Sequence, residues 1–490
     1  MRAVVVGGGL AGITAALALA QAGEEVTLLE AKPRLGGATM SFTRDGLIVD
    51  TGQHVYLRCC TAYQGLLERL GMTSSAPLQP RFDVTILTPT RRTRLRRRKL
   101  PAPLHLLPTL ARYPLISVAE RTRVSRAALA IRGVDLADAA TDQVTFGDYL
   151  ARHGQSERAR RALWDLFSVA SLNVPGDDAS LALAAKVVQT GLLGDAGAAD
   201  IGVPALPLGE LHGEAAARKL AELGATVRLA TKVSAIDVSG DGAASRYTVR
   251  LGRGEEDVPA DAVVIAVPHE SAARLVPPGA LPEHVADGWA GLGAAPIVNV
   301  HVIYDRMVMD VPFAAAVDSP VQWVFDRTRI SGMHARGDEG QYLAISLSAA
   351  DEYVDRSVAS LREEFLPALA ELLPAARDAT VREFFVTRER RATFRGVPGT
   401  AKLRPKAATD LPGVVLAGSW TDTGWPDTME GAVRSGLNAV LALRAGSRNS
   451  VGVTGATKSK TVVAGATGTE VNDVDKSAVS SADSARGVRS

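Results

Sequence analysis

Three short stretches carry residue types whose spacing could do chemistry. Gly7, Gly9 and Gly12 form G-x-G-x-x-G directly after the apolar run "AVVV" and at the start of an Ala-rich segment. Glycine at those positions allows a tight turn, close approach of backbone to a pyrophosphate, and close helix–strand contact. A helix opening at Leu10 and Ala11 offers free N–H groups and a positive dipole end to the phosphates. Glu30, about 20 residues on, ends the next apolar run, where a carboxylate accepts the ribose hydroxyls. Strand, helix and terminal acid together predict a dinucleotide site, for nicotinamide or for flavin.

The second stretch, "VDTGQHVYLRCCTAYQGLLERLG" (49–71), gathers His54 and the chain's two cysteines, Cys59 and Cys60. A metal site is not expected, because zinc sites use separated ligand pairs. Nor is a catalytic dithiol, since adjacent cysteines close a strained ring that C-x-x-C avoids. The cysteines are expected to line a pocket or to begin the following helix as small hydrophobes. The third stretch, "RRTRLRRRK" (91–99), places seven cations in nine residues, just before the apolar, Pro-broken 100–116. Cations beside apolar side chains suit an anionic lipid surface at about 1 kcal/mol per Lys or Arg. A solvated loop or an edge hairpin facing water is the alternative reading.

The elements that must position these residues start with a βαβ unit over 2–30. Helical patterns and Pro-rich connectors fill 72–200. A helix "EAAARKLAELG" leads to a strand "ATVRLATKVSAIDV" ending at Val238, and 247–268 reads as strand, turn, strand. "PGVVLAGSW" gives a last strand and "TMEGAVRSGLNAVLALRAG" a last helix. From 446 the chain is rich in Ser, Thr, Gly, Ala and Val, without periodicity, and reads as a disordered tail.

Composition narrows the class. At 490 residues the chain is too long for one core, so two domains are expected. Formal net charge is +2 and aromatics make up 5%, which gives no basis for a nucleic-acid partner. No apolar run reaches about 18 residues, so no transmembrane helix is expected. Without an export signal, and with two adjacent cysteines, a cytoplasmic location is expected, peripheral at the inner face of the plasma membrane if the basic stretch docks there.

"EAKPRLGGATMSF", with Glu30, Ala31, Arg34, Gly36, Gly37 and Ala38, resembles the E-x-x-x-R-x-G-G element of the FAD-containing amine oxidase and phytoene desaturase superfamily. The resemblance implies that the second glycine pair approaches the flavin and that Arg34 helps hold the diphosphate. Ala38 stands where many members have arginine. "VVLAGSWTDTGWPDTMEGAVRSG" resembles the closing motif, which implies backbone N–H groups near Thr428, Met429 and Glu430 at the pyrimidine edge. After Ala-Gly418 the family usually has Asp for the ribityl chain; here Ser419 stands there, and its hydroxyl or Asp422 serves instead. Val233 matches the backbone contact to adenine. The implied fold is α/β, a Rossmann-like FAD-binding domain (1–75, 205–272, 405–445) interleaved with an α+β substrate domain (76–204, 273–404), then the tail 446–490.

A narrower resemblance, in "DTGQHVYLRCC", "FSVASLNVPGDDASL", "PALPLGEL" and the closing motif, is to the squalene-associated FAD enzymes of hopanoid biosynthesis, the hydroxysqualene dehydroxylases. It implies a long-chain isoprenoid substrate, loss of an allylic hydroxyl as water after protonation, and hydride delivery from N5 of reduced flavin. That requires the carbinol carbon about 3–3.5 Å from the hydride source, a proton donor, and exclusion of water. No second dinucleotide fingerprint is visible, so an external electron donor is expected. The superfamily resemblance places Gly52 against the flavin ring and Gln53 and His54 toward the substrate, which makes His54 the candidate proton donor, as imidazolium, with a histidine that only hydrogen-bonds its loop as the alternative. A squalene or carotenoid desaturase, or a non-catalytic flavin or prenyl-chain carrier, are the competing readings.

Overall fold

The computed structural model describes residues 1–239, 246–252 and 254–453. The first apolar run forms the strand Arg2–Val6, buried from Ala3 onward, as parallel strands covered on both faces are. It leads into the helix Leu10–Gln21 and the strand Glu25–Leu29. Arg2–Val6 lies at the centre of a five-stranded parallel sheet. On one side come Ala262–Ile265 and Val414–Leu416, on the other Glu25–Leu29 and Thr226–Arg228. The parallel order and crossover helix make this the Rossmann-like α/β layer that the glycine fingerprint needs.

A seven-stranded mixed sheet forms the second layer. Its order is Val381–Thr393, Ala295–Tyr304, Gln341–Leu347, Trp323–Asp326, Phe313–Ala316, Asp83–Thr88 and Arg91–Arg96. One face is closed by the helix Val358–Leu372, whose Leu361, Phe365 and Leu369 pack on Val298, Val300, Val302 and Leu343. The opposite face looks toward the loop after the strand Leu47–Asp50 and toward the helices of 104–194. Met1–Arg448 form one compact unit.

Three expectations change. Residues 83–96 form a β-hairpin within a region read as helical, and of the two readings of the basic stretch its Arg91–Arg96 part takes the edge-hairpin one, at the sheet edge where charge discourages strand addition. The strand expected to run through to Val238 is two strands in different sheets: the chain leaves the parallel sheet at Arg228, turns at Ala230 with φ 54°, and enters the antiparallel sheet at Val233. The turn is pinned by Ala230 N to Lys32 O and Thr231 N to Glu30 O, each 2.9 Å. β-Favouring residues continue across that turn with no Gly or Pro to mark it, which is why the pattern hides it. Finally, the last helix runs Met429–Val453, past the 446 start assigned to the tail. The remainder of that tail, 454–490, lies outside the described residues. Among the described residues no helix is long and apolar enough to cross a membrane, and no group of three or more His, Cys, Asp or Glu could hold a metal.

Candidate active site

The glycine loops fit a bound dinucleotide on steric grounds. A Cβ on Gly12 would lie 1.8 Å from the Gly7 carbonyl oxygen, so only glycine lets the helix start this close to the strand. A Cβ on Gly9 would meet nothing nearer than Gly37 Cα at 3.9 Å, which leaves open space above the helix N-terminus. Gly9 caps that helix without a side-chain bond, so the first N–H groups at Leu10 and Ala11 stay available to a diphosphate. Gly36 N donates to Gly8 O at 2.8 Å, locking the second glycine pair, Gly36 and Gly37, onto the first loop. Glu30 accepts from Gly8 N at 2.6 Å and Lys32 N at 2.8 Å, and the pinned turn at 230–231 brings Val233 to the same corner. Ala31, Arg34 and Ala38 are exposed on the loop; Arg34 rests on the Met40 sulfur, Nε to Sδ 2.7 Å.

The closing motif supplies the opposite wall. Gly418 takes φ 139°, and its N–H donates to Ser435 Oγ at 2.8 Å. Thr428 caps the last helix: its Oγ accepts from Gly431 N at 3.2 Å and its carbonyl oxygen from Ala432 N at 2.9 Å. Among the described residues the Met429 N–H, at the helix start, has no acceptor. Glu430 is consumed structurally. Its carboxylate accepts from Tyr63 N at 2.8 Å and Ala62 N at 3.2 Å, capping the helix Thr61–Arg69. Asp422 is exposed and bonds Gly424 N, away from Ser419. The carboxylate beside Ser419 is Asp427, which accepts from Phe394 N at 2.8 Å and is pushed up by burial, opposed by Ser419, Phe394 N–H, Arg404 and His269. Buried Arg404 donates to the carbonyls of Ser419, Thr421 and Trp425 at 3.0, 2.6 and 2.8 Å, so one guanidinium shapes this loop.

Between the walls lies a buried polar cluster around the loop 51–54. Asp50 and Arg327 form a buried ion pair, and Asp50 also accepts from Leu208 N at 3.0 Å. His301 is satisfied on both nitrogens, by Tyr342 Oη at 2.7 Å and Thr387 Oγ1 at 3.0 Å, and burial lowers it to about 3. Asn299, on the same strand face, donates to Thr51 O at 3.1 Å. His54 lies against Gly52, where a Cβ would be 2.9 Å from its Nε2. Burial holds His54 below the usual imidazole range, with Arg327 reinforcing this and Asp50 opposing it. Burial thus disfavours the imidazolium form on which the expected proton-donor role of His54 depends. Gln53 Oε1 is buried without a donor.

Of the other sequence candidates, Cys60 caps the helix Thr61–Arg69, and its hydrogen bond with Cys59 lowers the Cys59 thiol and raises that of Cys60. Most of the basic strand is paired: Arg92 with Asp310, Arg94 and Arg96 with Asp83, and Arg97 with buried Asp200. Arg98 and Lys99 are exposed and carry no ion pair among the described residues, next to Leu100, Leu104 and Leu107, each more than 40% exposed. Asp427, Arg404, Asn299 and the Asp50–Arg327 pair were not found from sequence. Only Asp427, directly ahead of "TMEGAVRSG", had a local signal.

The family profile described as flavin-containing amine oxidoreductase matches residues 10–443, and the chain belongs to that family. Within it the chain is a relative of the hydroxysqualene dehydroxylases. It is 30% identical over 455 residues to the one from Rhodopseudomonas palustris, covering 90% of this chain and 98% of that protein. It is 26% identical to the one from Zymomonas mobilis, over 90% of this chain and 98% of that protein. The 15-cis-phytoene desaturase of Narcissus pseudonarcissus is 25% identical over 89% of this chain and 78% of that protein. Cyclohexylamine oxidase from Brevibacterium oxydans shares the fold, with TM-score 0.67 and 21% identity over 92% of this chain and 99% of that one. The protein is an FAD-dependent oxidoreductase of the amine oxidase and desaturase family. The open space at Gly9, the free helix N–H groups and Glu30 fit that cofactor.

Proposed function

We propose that the protein removes the allylic hydroxyl of hydroxysqualene to give squalene. What supports this reading is the full-length likeness to three hydroxysqualene dehydroxylases at 26–30% identity. Bound FAD, when reduced, supplies hydride chemistry. The chain's own part is to hold the isoprenoid against the apolar sheet face, exclude water, and deliver one proton to the leaving oxygen. Asp427 replaces His54 as the candidate proton source, since it sits beside Ser419 at the foot of the last helix and burial favours its acid form. Gln53 and His54 then act as neutral polar groups near the substrate. Reducing equivalents come from an external donor. The boundaries at 75/76, 204/205, 272/273 and 404/405 separate a cofactor half from a substrate half in this reading.

The substrate is taken from a bilayer at Leu100, Leu104 and Leu107, with Arg98 and Lys99 toward anionic headgroups, which puts the protein at the inner membrane surface of the cytoplasm. The test of function is an anaerobic incubation of reduced holoenzyme with hydroxysqualene. Squalene is the expected product, and its absence while FAD is retained contradicts the proposal. Reduction of the oxidised holoenzyme by squalene or phytoene would instead make it a desaturase, and inertness toward all three would make it a carrier.

A further inference from the structure

The strand Ala295–Tyr304 has two unlike faces. Val298, Val300, Val302 and Tyr304 pack into the cluster under the helix Val358–Leu372. The other face carries Ile297, Asn299 and His301 toward the 51–54 loop, and its sheet neighbours include Trp323 and Phe325 across from Ser346 and Ala344. On this largely apolar surface Asn299 is fully buried. Its Nδ2 donates to Thr51 O at 3.1 Å, which fixes the orientation of the carboxamide and leaves Oδ1 as its acceptor atom. Among the described residues that oxygen has no donor, and both nitrogens of His301 beside it are engaged elsewhere. Gln53 Oε1, two residues along the chain from Thr51, is also buried without a donor. A buried carbonyl oxygen left unpaired is costly, so two on one short loop and its backing strand imply a ligand that brings O–H groups.

We infer that Asn299 Oδ1 and Gln53 Oε1 form the anchor for the oxygen of a long-chain allylic alcohol and for the water into which it is converted. The inference rests on the proposed dehydroxylation and names the groups that recognise its leaving oxygen. An alcohol offers one O–H donor. After protonation the C–O bond breaks with its electron pair on oxygen, and the departing water offers two. The hydride that completes the carbon's reduction is a two-electron contribution of the reduced cofactor. Two waiting acceptors therefore match the departing water better than the substrate, which is the condition for assisting the step. A hydrocarbon brings no donor and leaves both oxygens unpaired, so the same anchor selects the alcohol over squalene.

The test measures binding of hydroxysqualene and of squalene to oxidised holoenzyme in detergent micelles, read from perturbation of the flavin absorbance. Turnover is not needed, so failure of the proposed reaction is scored separately. Wild type is expected to prefer the alcohol by about tenfold to a hundredfold. Asn299→Leu and Gln53→Met are each expected to bring the ratio to within about threefold of one, with squalene affinity little changed. Gln53→Glu, which keeps an acceptor at the same atom, is expected to retain the preference. An unchanged ratio in both apolar variants overturns the inference. So does a loss of FAD affinity in Asn299→Leu with the preference intact in Gln53→Met, because the carboxamide would then serve the cofactor. If Asn299→Leu does not fold, Gln53→Met alone decides, since it changes only a loop side chain.

Discussion

At the scale of single residues, the two glycines of the first loop separate steric from cofactor roles. Gly12→Ala forces a Cβ into the Gly7 carbonyl and is expected to destabilise the fold as well as abolish FAD retention. Gly9→Ala meets nothing closer than 3.9 Å, so its melting temperature without FAD should match wild type. Its FAD affinity should still fall by about tenfold or more as the methyl occupies the diphosphate space, measured by flavin fluorescence. Arg327→Met leaves Asp50 buried without its partner and is expected to cost about 3–5 kcal/mol in denaturant unfolding. For His54 the sign follows from its lowered folded value. The stability this neutral ring keeps is present above the unfolded imidazole value and is lost as pH falls through the folded one. His54→Gln should therefore flatten the acid side of the stability profile and leave the acid limb of turnover in place, whereas Asp427→Asn should remove turnover with FAD retained. Persistence of full turnover in Asp427→Asn would return the proton to another group.

At the scale of elements, one helix start carries its own pH dependence. The helix Asp165–Leu172 starts at Asp165, which burial and nearby Asp177 push up to about 6. For an acid raised in the folded state, stability is highest at low pH and declines as pH rises from the unfolded value to the folded one. Asp165→Asn should remove that decline, about 2 kcal/mol between pH 4 and pH 7, read from urea midpoints at the two pH values. The parallel sheet and the glycine loops were legible in sequence because a strand, a glycine triplet and a terminal acid are contiguous and each has one physical use. The 83–96 hairpin was legible only as an alternative reading of its basic half, since the arginines there leave Leu95 as the one apolar residue of the second strand. The buried cluster of Asp50, Arg327, Asn299 and His301 was invisible for a different reason. Its members lie up to 277 positions apart, and only the sheet register brings them together.

At the scale of the whole molecule, two sheets flank the 51–54 loop, one carrying the dinucleotide loops and the other an apolar face with a polar centre. The basic edge strand, read from sequence as a membrane patch, spends Arg92, Arg94, Arg96 and Arg97 on carboxylates. In the proposed docking, the exposed leucines and Arg98 and Lys99 beyond it are left to face the lipid. Arg98→Gln with Lys99→Gln should weaken sedimentation with anionic liposomes by about tenfold or more, and unchanged sedimentation would remove the membrane from the account. The central claim, reductive loss of one hydroxyl at an FAD site, is tested most directly by an anaerobic single turnover of reduced holoenzyme with limiting hydroxysqualene, following flavin absorbance and product together. The account predicts one squalene formed for each flavin reoxidised. Flavin that stays reduced, with hydroxysqualene recovered intact, would contradict it.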